Sequence, residues 1–209
     1  LDVFKINSGE VIPKENVLEV ESGFGKGLSL GINFKNAKLK DLRLRKALLH
    51  AWNRSSLNEK VYGGHYQTSL DSFSPQAEYH PGGKPVEYDP ASARKTLKEL
   101  GFTPEKPLVL KVLIQRPETE RWVGLYQQDA AQVGVQLKIE KVMDETQWWK
   151  LLQQGKYDLV AYEGEFSEIP HAAVWHSKAP YNSSAYSDPK VDSMLDTLES
   201  EFQPRERKA

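Results

Sequence analysis

Apolar residues recur along this chain with two different periods, and the switches between them mark out its elements. In the second half, residues 108–114 (LVLKVLI) form a short, nearly unbroken apolar run, as a buried strand does. Residues 135–142 alternate apolar with polar, and residues 157–162 make a third short run. Between these runs, residues 118–133 and 145–154 carry their apolar positions at helical spacing. The predicted order is β-α-β-α-β. A crossover containing a helix favours parallel strands with right-handed connections, so this half predicts a three-layer α/β unit. In such sheets ligands sit beyond the carboxyl ends of the strands, which draws attention to Arg116, to Met143 and Asp144, and to the segment after Tyr162.

The first half adds strands and helices around that unit. Residues 17–21 and 28–34 read as two strands joined by a glycine-rich turn, an opening pair that adds an edge to the mainly parallel sheet. From residue 40 a helix is predicted, with Leu44, Ala47, Leu48 and Ala51 on its apolar face and Asp41 as its cap or first-turn acid. Residues 55–62 predict a short helix closed by Gly63 and Gly64. Residues 65–87, rich in proline and glycine, predict irregular backbone. Asp89-Pro90 then opens another helix, whose stripe is Ala93, Leu97 and Leu100, and Gly101 ends it.

Composition narrows the function classes. In 209 residues, 28 basic and 29 acidic side chains nearly cancel, so no global field draws in nucleic acid or an anionic membrane. No apolar run approaches the roughly 20 residues of a membrane-spanning helix. The absence of cysteine excludes disulfides, thiolate metal sites and cysteine nucleophiles. His171 and His176 invite a metal reading, but a spacing of five does not put both on one helical face and no third ligand is evident. Neither metal nor cofactor is predicted.

Three stretches carry a resemblance. GINFKNAKLKDLRLRKALLHAWNR, with Asn33, Asp41, Arg43, Arg45, Ala47, Leu48 and Arg54, resembles the strand and helix signature of the bacterial extracellular solute-binding proteins of family 5. YDPASARKTLKELGF, through Tyr88, Asp89, Pro90, Ala93, Leu97, Gly101 and Phe102, is similar to a second motif of that family. YDLVAYEGEFSEIP followed by NSSAYSDPKVDSMLD resembles its last strand, ligand loop and closing helix. The similarity runs from about residue 1 to about residue 202. Family members are longer and two-lobed, so the resemblance implies that residues 1–209 are one lobe, the second, of a periplasmic-binding-protein-like fold. It further implies capture of a small solute or short peptide between this lobe and a partner lobe. Delivery to the membrane subunits of an ABC importer follows, in the periplasm or at the cell surface as a lipoprotein. Contact with the membrane is then made only through the transporter or an anchor.

The resemblance also implies site residues. Peptide-binding members present Trp-x-x-Asp-Tyr after the last parallel strand, the Asp pairing with the peptide's amino terminus. Here Tyr162 stands for the Trp, Glu165 for the Asp and Phe166 for the Tyr. A carboxylate walled by rings holds an ammonium through a charge-assisted hydrogen bond and cation–π attraction. Glu168 in the same loop, Arg116 as partner of a ligand carboxylate, and Trp149 complete the candidate set. The residues by themselves equally describe Glu165 as one of three surface acids with Glu163 and Glu168, Tyr162 and Phe166 as core packing, and Arg116 as half of a surface ion pair. Of the neighbouring Trp148 and Trp149, one is expected in the core and the other outside it. Asn33 and Arg54 read as fold residues.

Two other functions use the same residues. A ligand-sensing domain of a regulator would bind solute on this fold without transport. A hydrolase would use two of Glu163, Glu165 and Glu168 as acid and base, but three acids in one short loop do not flank a scissile bond from opposite sides, so no enzyme is predicted.

Overall fold

The computed structural model describes residues 26–65, 84–165 and 172–200. Their order is β1 (Lys26–Ile32), a 3-10 turn (Ala37–Lys40), α1 (Leu42–His50), α2 (Arg54–Tyr62), α3 (Pro90–Glu99), β2 (Leu108–Ile114), α4 (Pro117–Gln132), β3 (Val135–Lys141), α5 (Glu145–Gln153), β4 (Leu159–Glu165), α6 (Ala172–Trp175) and α7 (Pro189–Ser200). The strands form one sheet in the order β1-β4-β2-β3. β2 pairs in parallel with β3 and with β4, and β1 runs antiparallel along β4 as an edge. This is the mainly parallel α/β sheet with an added edge strand that the apolar pattern predicts; the antiparallel direction of that edge is set by its pairing with β4. The other predicted opening strand, at residues 17–21, and most of the 65–87 segment lie outside the described residues.

Alternation along the strands divides the apolar residues between two layers. Leu108, Leu110, Val112 and Ile114 of β2, Val135 and Leu137 of β3, and Leu159 and Ala161 of β4 face one side. There α1, α2, α3 and α4 bring Leu44, Leu48, Leu57, Leu97, Trp122 and Tyr126 against them. Leu113 and Val160, one residue out of phase, face the other side and meet Trp148, Leu152, Val142 and Tyr157. Helices therefore cover both faces, α5 being the cover on the second. Leu44, Ala47, Leu48 and Ala51 are all buried, as their spacing predicts.

Local chemistry sets the ends of the helices. The Asp41 side chain accepts from the Arg43 amide at 2.9 Å at the start of α1, and Asn53 accepts from Ser56 at 2.9 Å at the start of α2. Asp89 caps α3 through Ser92 at 2.9 Å with Pro90 in the first turn. Gly63 closes α2 with φ +61°, the left-handed conformation that favours glycine at this position.

The last strand departs from expectation. The apolar run predicts it at residues 157–162, whereas β4 begins at Leu159 and continues through Glu165. Its far half, YEGE, has no apolar alternation, but the register pairs Glu163 with Leu28, Gly164 with Gly27 and Glu165 with Lys26. A partner strand satisfies the backbone there, and hydropathy does not report that. Glu163 and Glu165 thus belong to a strand and not to the loop in which the sequence places them.

Candidate functional site

Right-handed crossovers that move in opposite directions along a sheet must lie on opposite faces. The chain leaves β2 through α4 on one face to reach β3, and leaves β3 through α5 on the other to reach β4. The exits from the carboxyl ends of β2 and β3 therefore diverge, opening the switch-point crevice where ligands of such sheets bind. Ile114, Gln115, Arg116 and Pro117 from the β2 exit, Lys141 and Met143 from the β3 exit, and Glu120 of α4 line a small depression there. Glu120 and Lys141 close its rim with an ion pair at 2.6 Å.

Arg116 occupies the cap position of α4 without capping it; its carbonyl instead accepts from the Thr119 amide at 3.1 Å. The side chain is exposed, and among the described residues its guanidinium has neither hydrogen-bond nor ion-pair partner. The surface ion pair that the sequence offers for Arg116 is thus not formed among these residues. Met143 is 62% exposed beside it. Asp144, noted with Met143 from the sequence, is occupied in capping α5, accepting from Gln147 at 2.7 Å.

β4 outlasts its neighbour. The last β2–β4 pair is Ile114 with Ala161, and β4 then continues for four residues paired only with β1. At about 3.3 Å per residue this two-stranded ribbon stands roughly 13 Å beyond the carboxyl edge of β2. Tyr162 and Glu165 both lie on it, Glu165 at its end opposite Lys26. Glu163, between them, is half-buried, and its Oε1 is buried without a hydrogen-bond partner among the described residues. Phe166 and Glu168 follow outside the described residues.

Trp149 goes elsewhere. Trp148 is 5% exposed in the α5 core and Trp149 is 41% exposed, the division expected of adjacent helical residues. Trp149 lines a separate groove with Lys35 and residues 180–183. The fold therefore brings Arg116, Tyr162 and Glu165 to one end of the sheet and leaves Trp149 out of that group.

The other sequence-marked polar residues support the frame. Asn33, 2% exposed, donates to the Gly155 carbonyl at 3.0 Å and the Tyr157 carbonyl at 2.6 Å, and accepts from the Lys35 amide at 3.0 Å. Arg54 lies over the Trp52 ring, and burial pulls its pKa down from the usual value. His176 sits between Asp192 and Asp196, at 3.9 and 3.5 Å, while His171 lies outside the described residues. Among the described residues no three His, Cys, Asp or Glu side chains group as metal ligands would. Sequence reasoning missed Asp158. Its carboxylate accepts from Asn36 at 2.8 Å and from the Lys111 amide at 2.7 Å, tying the β1 exit to β2; its position one residue before an apolar strand is the only sign in the sequence.

Comparison with known proteins places these features. The family model for bacterial extracellular solute-binding proteins, family 5 (middle region), matches residues 5–179. The nickel-binding protein NikA of Staphylococcus aureus is 25% identical over 97% of this chain and 42% of its own length. The probable ABC transporter periplasmic-binding protein SapA of Escherichia coli is 30% identical over 79% of this chain and 32% of its own length. The chain thus spans less than half the length of these relatives. Among solved structures, S. aureus NikA in complex with Ni(L-His)2 superposes with a TM-score of 0.74 at 21% identity, covering 90% of this chain and 43% of that one. The oligopeptide-binding protein AppA of Bacillus subtilis, in complex with a nonapeptide, gives 0.72 at 18% identity, covering 89% and 42%. At these identities the superpositions speak for the fold, while the family match spans most of the sequence. By that match, on this sheet, the chain belongs to the bacterial extracellular solute-binding proteins of family 5.

Proposed function

We propose that residues 1–209 form one lobe of a two-lobed solute-binding protein that captures a short peptide or similar small solute for an ABC importer, outside the cytoplasmic membrane. The observation that carries this reading is that the β1–β4 ribbon ending at Glu165 and the switch-point crevice bearing Arg116 both lie at the carboxyl end of the sheet. Glu165 takes the ligand's ammonium, with Tyr162, Phe166 and Glu168 as its companions in the sequence; the exposed Arg116 takes a carboxylate. The crevice is shallow, about 50 Å³, far below the roughly 300–1,000 Å³ of a complete ligand pocket. A second wall is therefore needed, and hinge closure of a partner lobe supplies it. No bond is made or broken. In support, the relatives are named as binding or transporter proteins.

The test is calorimetric titration of trialanine and N-acetyltrialanine into the full-length protein and its Glu165→Gln variant. A charge-assisted hydrogen bond contributes about 1.5–3 kcal/mol, so Glu165→Gln should weaken trialanine binding roughly 10- to 100-fold. Binding of the acetylated peptide, which lacks the ammonium, should barely change. Equal affinity of wild type and variant for trialanine would remove Glu165 from the site.

A further inference from the structure

We propose that the groove between α5 and the turn at residues 180–183 is a second ligand site, built for a small carboxylate that carries a flat ring. The groove holds about 530 Å³, within the range of small-molecule sites, and lies at the end of the sheet where β4 begins. One strand length, roughly 20 Å, separates that end from Glu165. The groove is therefore distinct from the crevice at Arg116, and its fate does not bear on the cleft reading.

Three features select the ligand. First, the Trp149 and Tyr181 rings, 41% and 59% exposed, stand 6.3 Å apart at 55°, an open pair of apolar walls rather than a closed stack. So much aromatic surface left in water forgoes burial that a flat ring would restore. Second, Lys35 is positioned. A Cβ at Gly155, where φ is +63°, would lie 2.8 Å from Lys35 Cδ, so the glycine lets the lysine stem lie against the backbone. Its Nζ is 3.4 Å from the Gln153 carbonyl at the end of α5. One carbonyl uses one of three ammonium donors, and no ion pair with a carboxylate is formed among the described residues. Third, the turn is held in shape by its own hydrogen bonds, without any help from a ligand. The Asn182 side chain donates to the His176 and Tyr186 carbonyls at 3.1 and 2.7 Å and accepts from Ser184 Oγ and the Tyr186 amide at 2.9 and 3.2 Å. The Ser183 carbonyl accepts from Tyr157 at 3.0 Å, and Ser184 accepts from the Phe34 amide at 2.8 Å.

Ala185, at the end of this turn, has φ +55°, the one non-glycine residue in that region among those described. Such a conformation persists only where its surroundings over-determine it, and it occurs disproportionately at binding sites. The chemistry favours a carboxylate over a sugar. Gln153 and the Tyr181 and Ser183 hydroxyls also line the wall, but a neutral sugar gives the Lys35 ammonium no counter-charge. An ammonium beside two rings instead matches an anion on a ring.

Phenylacetate titrated into the 15N-labelled 209-residue chain tests this by amide chemical shifts. Saturable shifts are expected at Lys35, Gly155 and residues 181–184, with a Kd on the order of 1 mM for so small a ligand. Lys35→Met should weaken phenylacetate about threefold or more while leaving benzyl alcohol unchanged, and Trp149→Ala should remove binding of both. The spectra report whether each variant is folded. No saturable shift up to about 20 mM, or shifts confined to residues around Arg116, would overturn the site. Phenylacetate bound equally by wild type and Lys35→Met would overturn the assignment of a carboxylate.

Discussion

Single side chains divide into those that hold the frame and those left free to meet something. Asn33 is the clearest of the first kind. Its amide satisfies two carbonyls that precede β4, while its oxygen caps the turn after β1, all from a buried position. Asn33→Ala strands these groups, and a loss of roughly 1–3 kcal/mol in chemical denaturation is expected, with the midpoint moving and the slope unchanged. Asp41 is only partly exposed, and hydrogen bonds from the Arg43 side chain and amide hold its carboxyl down, to about 2 from the usual 3.8. A depressed carboxylate adds stability that is complete above its unfolded pKa and fades as pH falls through the folded one. Wild type should therefore lose stability relative to Asp41→Asn between pH 3.8 and about 2, and parallel pH curves for the two would refute the linkage. The sequence marked Asn33 and Asp41 by residue type and position. Asp158 it did not mark, because an aspartate before a strand looks the same whether or not amides from two other segments converge on it.

At the scale of elements, periodicity located every described helix of the central unit to within one or two residues. α4 and α5 begin and end almost where their stripes do, since a helix satisfies its own backbone and needs only one apolar face. Strands depend on partners, and β4 shows the difference. Its polar carboxyl half is held by pairing with β1, which residues 162–165 do not advertise. The packing of α4 gives a sharper prediction. Trp122 is fully buried and stacked on Trp52 at 5.6 Å, with Tyr126 donating to the Leu48 carbonyl at 3.1 Å nearby. Trp122→Ala should cost about 3–5 kcal/mol. Trp122→Phe should cost much less, because the indole N–H it removes is buried without a hydrogen-bond partner among the described residues. Thermal denaturation of the two variants in parallel decides the ordering.

The whole molecule is a sheet with two unequal covers, and the strands they share couple them. Val112 and Leu113, adjacent on β2, face opposite covers, so neither layer comes apart without exposing the other. One cooperative transition is expected, with far-ultraviolet circular dichroism and tryptophan fluorescence superimposing; a separate early loss of the α5 layer would break this picture. The same scale sorts the candidate site. The sequence by itself determined the order of strands and helices in the central unit, its parallel core and the Asp41 and Asp89 caps, because periods and cap chemistry are local properties of the chain, and by charge it offered candidates for holding an ammonium or a carboxylate. It could not decide which of these residues meet. The crossovers on opposite faces opened the crevice beneath Arg116, strand pairing lifted residues 162–165 above it, and helical phase sent Trp149 to the groove beside Lys35. Those outcomes depend on register and handedness between segments far apart in the chain, which only the closed tertiary structure specifies.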